Sequence, residues 1–161
     1  MITTLLKAEQ PCILVLASGR GERFRASGGQ VHKLAALLDG QSVLEWTLAA
    51  VRSSGLPWHL EDAGHPGMGD SIAAAVRAMP NAPGWLVLPA DLPLIQPKTL
   101  RTIAAALQSG AEVAAPVFKG TRGHPVGFSY ALRSALMTLT GEEGARSLLC
   151  SAKERRTLMT M

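Results

Sequence analysis

The sequence predicts an α/β fold with a mainly parallel sheet. Three observations carry this. Two short, continuous apolar runs, CILVLA at Cys12–Ala17 and WLVL at Trp85–Leu88, read as strands buried on both faces. Segments with apolar residues at helical spacing alternate with such runs along the chain. The chain has 161 residues, 47% apolar and 17% charged, enough for one core and one domain spanning 1–161.

The elements follow in order. After the first strand a polar, Gly-rich loop runs from Ser18 to Lys33. Ser42 then opens a helix, with Glu45 three residues on as a capping box. Leu44, Thr47, Leu48 and Val51 share its apolar face, and Ser53, Ser54 and Gly55 end it. Leu56–Gly67 is broken by Pro57, Gly64, Pro66 and Gly67; it has room for one strand at most, over Trp58–Leu60. A second helix spans Asp70–Met79, with Ile72, Ala75, Val76 and Met79 on one face. The strand Trp85–Leu88 leads into PADLPLIQP. Pro97 starts a third helix at the position that proline tolerates best, with a core face of Leu100, Ile103, Ala104 and Leu107. Glu112–Pro116 and Pro125–Phe128 read as strands joined by the loop GTRGH. Leu132, Ala135, Leu136 and Leu139 form another helical face. Glu143–Cys150 reads as a last short helix, followed by a basic tail.

Composition narrows the function classes. Aromatics are 4%, which argues against a stacking platform for nucleic acid. Lys and Arg number 16 against 12 Asp and Glu, a net +4 that suits an anionic small ligand, with no long basic block. The two cysteines, Cys12 and Cys150, show no disulfide or metal spacing. No apolar stretch is long enough to span a membrane. Lys7 and Glu9 interrupt the region where a signal peptide needs its apolar stretch, so a cytoplasmic protein is expected.

In parallel sheets ligands gather beyond the carboxyl ends of the strands, so the loops after Ala17 and after Leu88 are the places for chemistry. The first reads SGRGERF, with Lys33 downstream. Its glycines would let backbone N–H groups form an anion nest, and its cations would balance phosphate charge; a solvated surface loop is the other reading. A Walker loop is absent, and Phe24 stands where a third glycine would complete the dinucleotide fingerprint. The second loop carries Asp91, which could reach a Mg²⁺ held by triphosphate oxygens or organise the turn before Pro93.

Five segments in order, LASGRGERF…K, GMGDS, PADLPLI, RGHPVGF and GARSLL, together resemble the MobA-like nucleotidyltransferases. Within that family the sequence is most similar to the MocA-type molybdenum cofactor cytidylyltransferases. The resemblance covers Cys12 to Leu149. It implies a three-layer α/β/α sandwich of the nucleotide-diphosphosugar transferase type. It implies transfer of CMP, or another nucleoside monophosphate, from an NTP to molybdopterin with release of pyrophosphate. Ala17, Ser18, Gly19, Gly21 and Arg23 would hold the triphosphate, Lys33 would meet the α-phosphate, and Ser71 would lie near the nucleoside. Asp91 would ligate Mg²⁺, and His124 would lie near the acceptor. Catalysis would then rest on Lys33, Arg23 and Asp91. CTP or GTP, a molybdopterin-type acceptor and a molybdoenzyme are the expected partners; nucleic acid and membrane are not. Ser71 could also cap its helix, and His124 could be a solvated turn residue.

The sequence departs from the family pattern in three places. One strand at most fits before GMGDS, where two are usual. No aspartate follows Asp91, where a C-terminal strand usually supplies a second metal carboxylate. Gly28–His32 lengthens the loop before Lys33. The missing carboxylate leaves a second reading open, a non-catalytic module that binds nucleotide or cofactor for a molybdoenzyme. A transferase of the same fold acting on sugar nucleotides is a third.

Overall fold

The computed structural model describes residues 10–17, 37–151 and 156–160. The strands are β1 Cys12–Leu16, β2 Leu37–Leu38, β3 Gln41–Ser42, β4 Trp58–Glu61, β5 Gly84–Pro89, β6 Val113–Phe118, β7 Thr121–Arg122, β8 Val126–Ser129 and β9 Arg156–Thr160. The helices are α1 Val43–Ser54, α2 Met68–Ala78, α3 Pro97–Gln108, α4 Arg133–Met137 and α5 Arg146–Ser151.

The main sheet has the order β4-β1-β5-β8-β6-β7, with β9 also paired to β6. β1 pairs β4 and β5 in parallel, and β6 pairs β9 in parallel. β8 is antiparallel to both β5 and β6, so those two run the same way. Five strands therefore point in one direction, and their carboxyl ends share one edge. β2 and β3 form a separate two-stranded hairpin.

Alternation along β1 divides the core. Cys12, Leu14 and Leu16 face α2, α4 and α5 through Ile72, Val76, Leu136 and Leu149. Ile13 and Val15 face α1 and α3 through Leu48, Val51, Leu100 and Ile103. Every one of these side chains is buried, which explains why β1 is apolar at each position rather than at every second one. The result is the three-layer α/β/α sandwich. Trp85 is fully buried, and its indole Nε1–H is satisfied by Met79 O at 2.8 Å.

The ends of the helices follow their local chemistry. The Ser42 hydroxyl accepts from the Glu45 N–H at 3.1 Å, and Gly55, at φ 76°, closes α1. Pro97 opens α3, whose buried face is Leu100, Ile103, Ala104 and Leu107, as its spacing predicts.

The single strand expected in Leu56–Gly67 is present as β4, one residue longer than Trp58–Leu60. Three expectations need correction. α2 begins at Met68, two residues before Asp70. The last helix begins at Arg146, so Glu142 and Glu143 lie in the turn before it. The C-terminal tail is not simply a basic tail: Arg156–Thr160 forms β9 along β6. The preceding Lys153–Arg156 run hides a short stretch whose threonines and apolar residues suit an extended chain.

Candidate active site

The common carboxyl edge collects the ends of β1, β4, β5 and β6 and the start of β8. Ala17 leaves β1 there, its N–H donating to Glu61 O at 2.8 Å. Ser18, Gly19, Gly21, Arg23 and Lys33, with the Gly28–His32 stretch, lie outside the described residues.

β5 ends at Pro89, and the next two residues are held by the scaffold. The Ala90 N–H donates to Leu16 O at 3.0 Å. The Ala90 carbonyl accepts from the Thr47 hydroxyl on α1 at 2.7 Å. Asp91 follows, half-buried, at the start of a loop that Ile95 N–H closes onto Leu92 O at 3.2 Å. Gln96, not Asp91, occupies the cap position of α3.

His124 precedes β8 and is exposed. Its pKa is held below the ordinary histidine value. Partial desolvation is the main cause and the Arg122 charge the second; the Asp91 carboxylate opposes both. Asp91 and His124 thus share one electrostatic neighbourhood although 33 positions separate them in the chain. Both main causes favour the neutral imidazole over the charged one. Beside it lies a groove of about 750 Å³ between the start of α3 and the β6–β7 hairpin, lined by Ile95, Lys98, Thr102, Phe118 and His124 among others. Apolar walls with one cation and one imidazole suit a flat ligand that carries negative charge.

In GMGDS the structure overturns only the capping reading of Ser71. Gly67 occupies the cap position of α2, and Ser71 lies inside the helix, buried, with its hydroxyl donating to Gly67 O at 3.3 Å. Ser71 is therefore not the cap, because the helix starts before it. The two glycines pack against the loop 140–144. The Gly69 N–H donates to Gly141 O at 2.7 Å, and the Gly141 N–H donates to Asp70 Oδ2 at 3.2 Å. A Cβ on Gly67 would stand 2.5 Å from Gly141 C, and one on Gly69 2.6 Å from Thr140 O.

One cluster escaped the sequence reading. Glu61 at the end of β4 bonds His59 Nε2 through Oε2 at 3.1 Å and His65 Nε2 through Oε1 at 2.9 Å. Burial pushes the Glu61 pKa up, but the hydrogen bonds and charges of His65 and His59 outweigh it and leave the carboxyl below its usual range. His59 and Glu61, two positions apart on β4, share one face of the strand.

Metal chemistry fits this edge in one form. Among the described residues no group of three His, Cys, Asp or Glu side chains is arranged to hold an ion. Asp91, partly open to solvent at a strand end, suits a Mg²⁺ that takes one or two carboxylates and completes its shell with phosphate oxygens and water. Among the described residues, no helix is long and apolar enough to cross a membrane.

The MobA-like NTP transferase domain matches residues 48–156, more than half of the chain, a stretch that includes Ser71, Asp91 and His124 but not the Ser18–Lys33 loop. The bifunctional protein GlmU of Xanthobacter autotrophicus is 31% identical over 134 residues, taking in 66% of this chain and 29% of that protein. The match thus spans less than a third of that relative's length. The crystal structure of Rv0371c from Mycobacterium tuberculosis superposes with a TM-score of 0.79 at 22% identity, covering 95% of this chain and 88% of that one. Its manganese complex gives 0.75 at 21% identity, over the same shares. Molybdopterin-guanine dinucleotide biosynthesis protein A from Archaeoglobus fulgidus gives 0.57 at 18% identity, covering 93% and 82%. These likenesses are of fold.

Proposed function

The chain belongs to the MobA-like NTP transferase family, and from that premise we propose that it transfers a nucleoside monophosphate from an NTP to molybdopterin, releasing pyrophosphate. CTP is the donor we favour, on the RGHPVGF and GARSLL segments; GTP is the alternative. The observation that best supports the reading is that Asp91, just after β5, and His124, just before β8, lie at the same end of two strands paired with Val87 opposite Val126.

In this reading the acceptor phosphate attacks the α-phosphorus in line, and the pyrophosphate oxygen leaves with the bonding pair. No covalent enzyme intermediate is needed, and positioning does most of the work. Ala17, Ser18, Gly19, Gly21 and Arg23 hold the triphosphate, and Lys33 stabilises charge at the α-phosphate. Asp91 would hold a Mg²⁺, which would supply neutralisation of phosphate charge. Ser71 supports the nucleoside side through its helix. His124, kept neutral, hydrogen-bonds the acceptor while Arg122 and Lys98 supply the positive field.

Calorimetric titration of CTP and GTP with Mg²⁺, followed by pyrophosphate release with molybdopterin, tests this. Asp91→Asn is expected to fold normally, lose the Mg²⁺ dependence of nucleotide binding and lose at least about a hundredfold in transfer. Unchanged transfer in that variant sinks the assignment. A second reading, a binding module serving a molybdoenzyme, is favoured by β9, whose sequence RTLMT carries no carboxylate. Tight Mg²⁺–NTP binding by wild type with no pyrophosphate released would support it over the first.

A further inference from the structure

We propose that Thr47 is a positioning residue for Asp91, acting through the Ala90 carbonyl. This rests on reading Asp91 as the metal ligand.

Thr47 sits within α1 and is fully buried. A helical threonine usually turns its hydroxyl back on the carbonyl four residues before it. Val43 O, at 3.0 Å, offers that bond. Ala90 O, 43 positions away, lies closer, at 2.7 Å. A hydroxyl has one proton to give, and the shorter contact takes it. The bond therefore leaves the helix and ends on the residue just before Asp91.

That place in the chain matters. The peptide unit joining Ala90 to Asp91 is planar, so holding its carbonyl fixes the plane from which the Asp91 Cα hangs. The N–H of Ala90 is held independently by Leu16 O at 3.0 Å. One restraint comes from β1 and the other from α1, and neither belongs to the loop that they steady. Ala90 is buried as well, so the carbonyl is shut away from bulk water. Asp91 is then a half-open carboxylate on a rigid base, as an ion ligand in a solvent-facing site needs to be.

Packing alone would not call for a hydroxyl here, since valine has the same shape without the proton. The test uses that difference. The Mg²⁺ dependence of CTP and GTP binding is measured by calorimetry in wild type, Thr47→Val, Thr47→Ser and Asp91→Asn, beside the melting temperature of each empty protein. Thr47→Val is expected to raise the Mg²⁺ concentration for half-maximal nucleotide binding about tenfold, the low end for support of a metal ligand. Metal-free nucleotide binding should stay the same, and Thr47→Ser should restore the wild-type midpoint. A lower melting temperature with an unmoved midpoint overturns the proposal and leaves Thr47 a packing staple. If Asp91→Asn shifts the midpoint and Thr47→Val does not, this inference alone falls; if Asp91→Asn shifts nothing, it falls together with the metal reading. Should Thr47→Val not fold, Thr47→Cys, which fills the space but donates weakly, should raise the midpoint less in the same direction, and no rise overturns the proposal.

Discussion

The loop after β5 leaves the Asp91 side chain half-open, whereas the corner between β4 and α2 sets Gly67 and Gly69 against another loop. Both leave the same sheet edge, and both carry family segments. At the first, backbone bonds to β1 and α1 hold Ala90 while Asp91 remains half-open. At the second, Gly67, Gly69 and Asp70 are engaged by Thr140–Gly141. A run of small residues at a helix start looks alike in sequence whether it approaches a phosphate or a second piece of backbone. Only the fold separates the two, and here the Gly69 N–H is spent on Gly141 O.

The sharpest way to break that contrast is Gly69→Ala. The new methyl would stand 2.6 Å from Thr140 O, and backbone would have to move on one side. The expected cost is about 1–3 kcal/mol, a fall of roughly 2–12 °C in melting temperature. Asp91→Asn should leave melting nearly unchanged. If Gly69→Ala melts like wild type and changes only nucleotide affinity, the corner is a ligand surface and the contrast fails.

What the sequence made legible follows the same line. β1, β5 and α3 could be read directly because continuous burial or a single apolar face leaves a local pattern, as Cys12–Leu16 and the Leu100, Ile103, Ala104 and Leu107 set show. β4 and β9 were hard to read because neither is a continuous apolar run: β4 mixes Trp58, His59 and Glu61, and β9 carries Arg156, Thr157 and Thr160. Asp91 and His124 were found by motif, but their nearness was not in the chain's local order; it arises because β8 reverses between β5 and β6. Thr47 looked like one more member of a helix face. Its bond to Ala90 crosses 43 positions, and no spacing rule reports that.

The Glu61 cluster sharpens the comparison from the corner's other side, because Glu61 and His65 flank the turn that leads into α2. Glu61→Gln should destabilise by about 1 kcal/mol at neutral pH, the scale of a charged hydrogen bond partly replaced by a neutral one. The sign of its pH dependence is set by the lowered folded pKa. Its stabilisation is present above the ordinary carboxylate value and lost as pH falls through the folded one. The stability gap between wild type and Glu61→Gln, from denaturant melts, should therefore narrow in acid. A gap that widens there would mean that the histidines, not the carboxylate, dominate the cluster.

The smallest expected effect tests the open loop itself. His124 should titrate by NMR below an ordinary histidine, because desolvation and Arg122 both disfavour its charged form. Asp91 works against them, so Asp91→Asn should push the His124 midpoint lower still. Arg122→Gln should move it the other way. Each change should be small, because these charges are partly screened by solvent. His124 then adds to stability above the ordinary histidine pKa, and that contribution is lost as pH falls through its lowered folded value. Opposite shifts in the two variants would tie Asp91, His124 and Arg122 into one electrostatic site. If Asp91→Asn leaves the His124 midpoint where it is, the two residues do not share a site, and the contrast loses its open half.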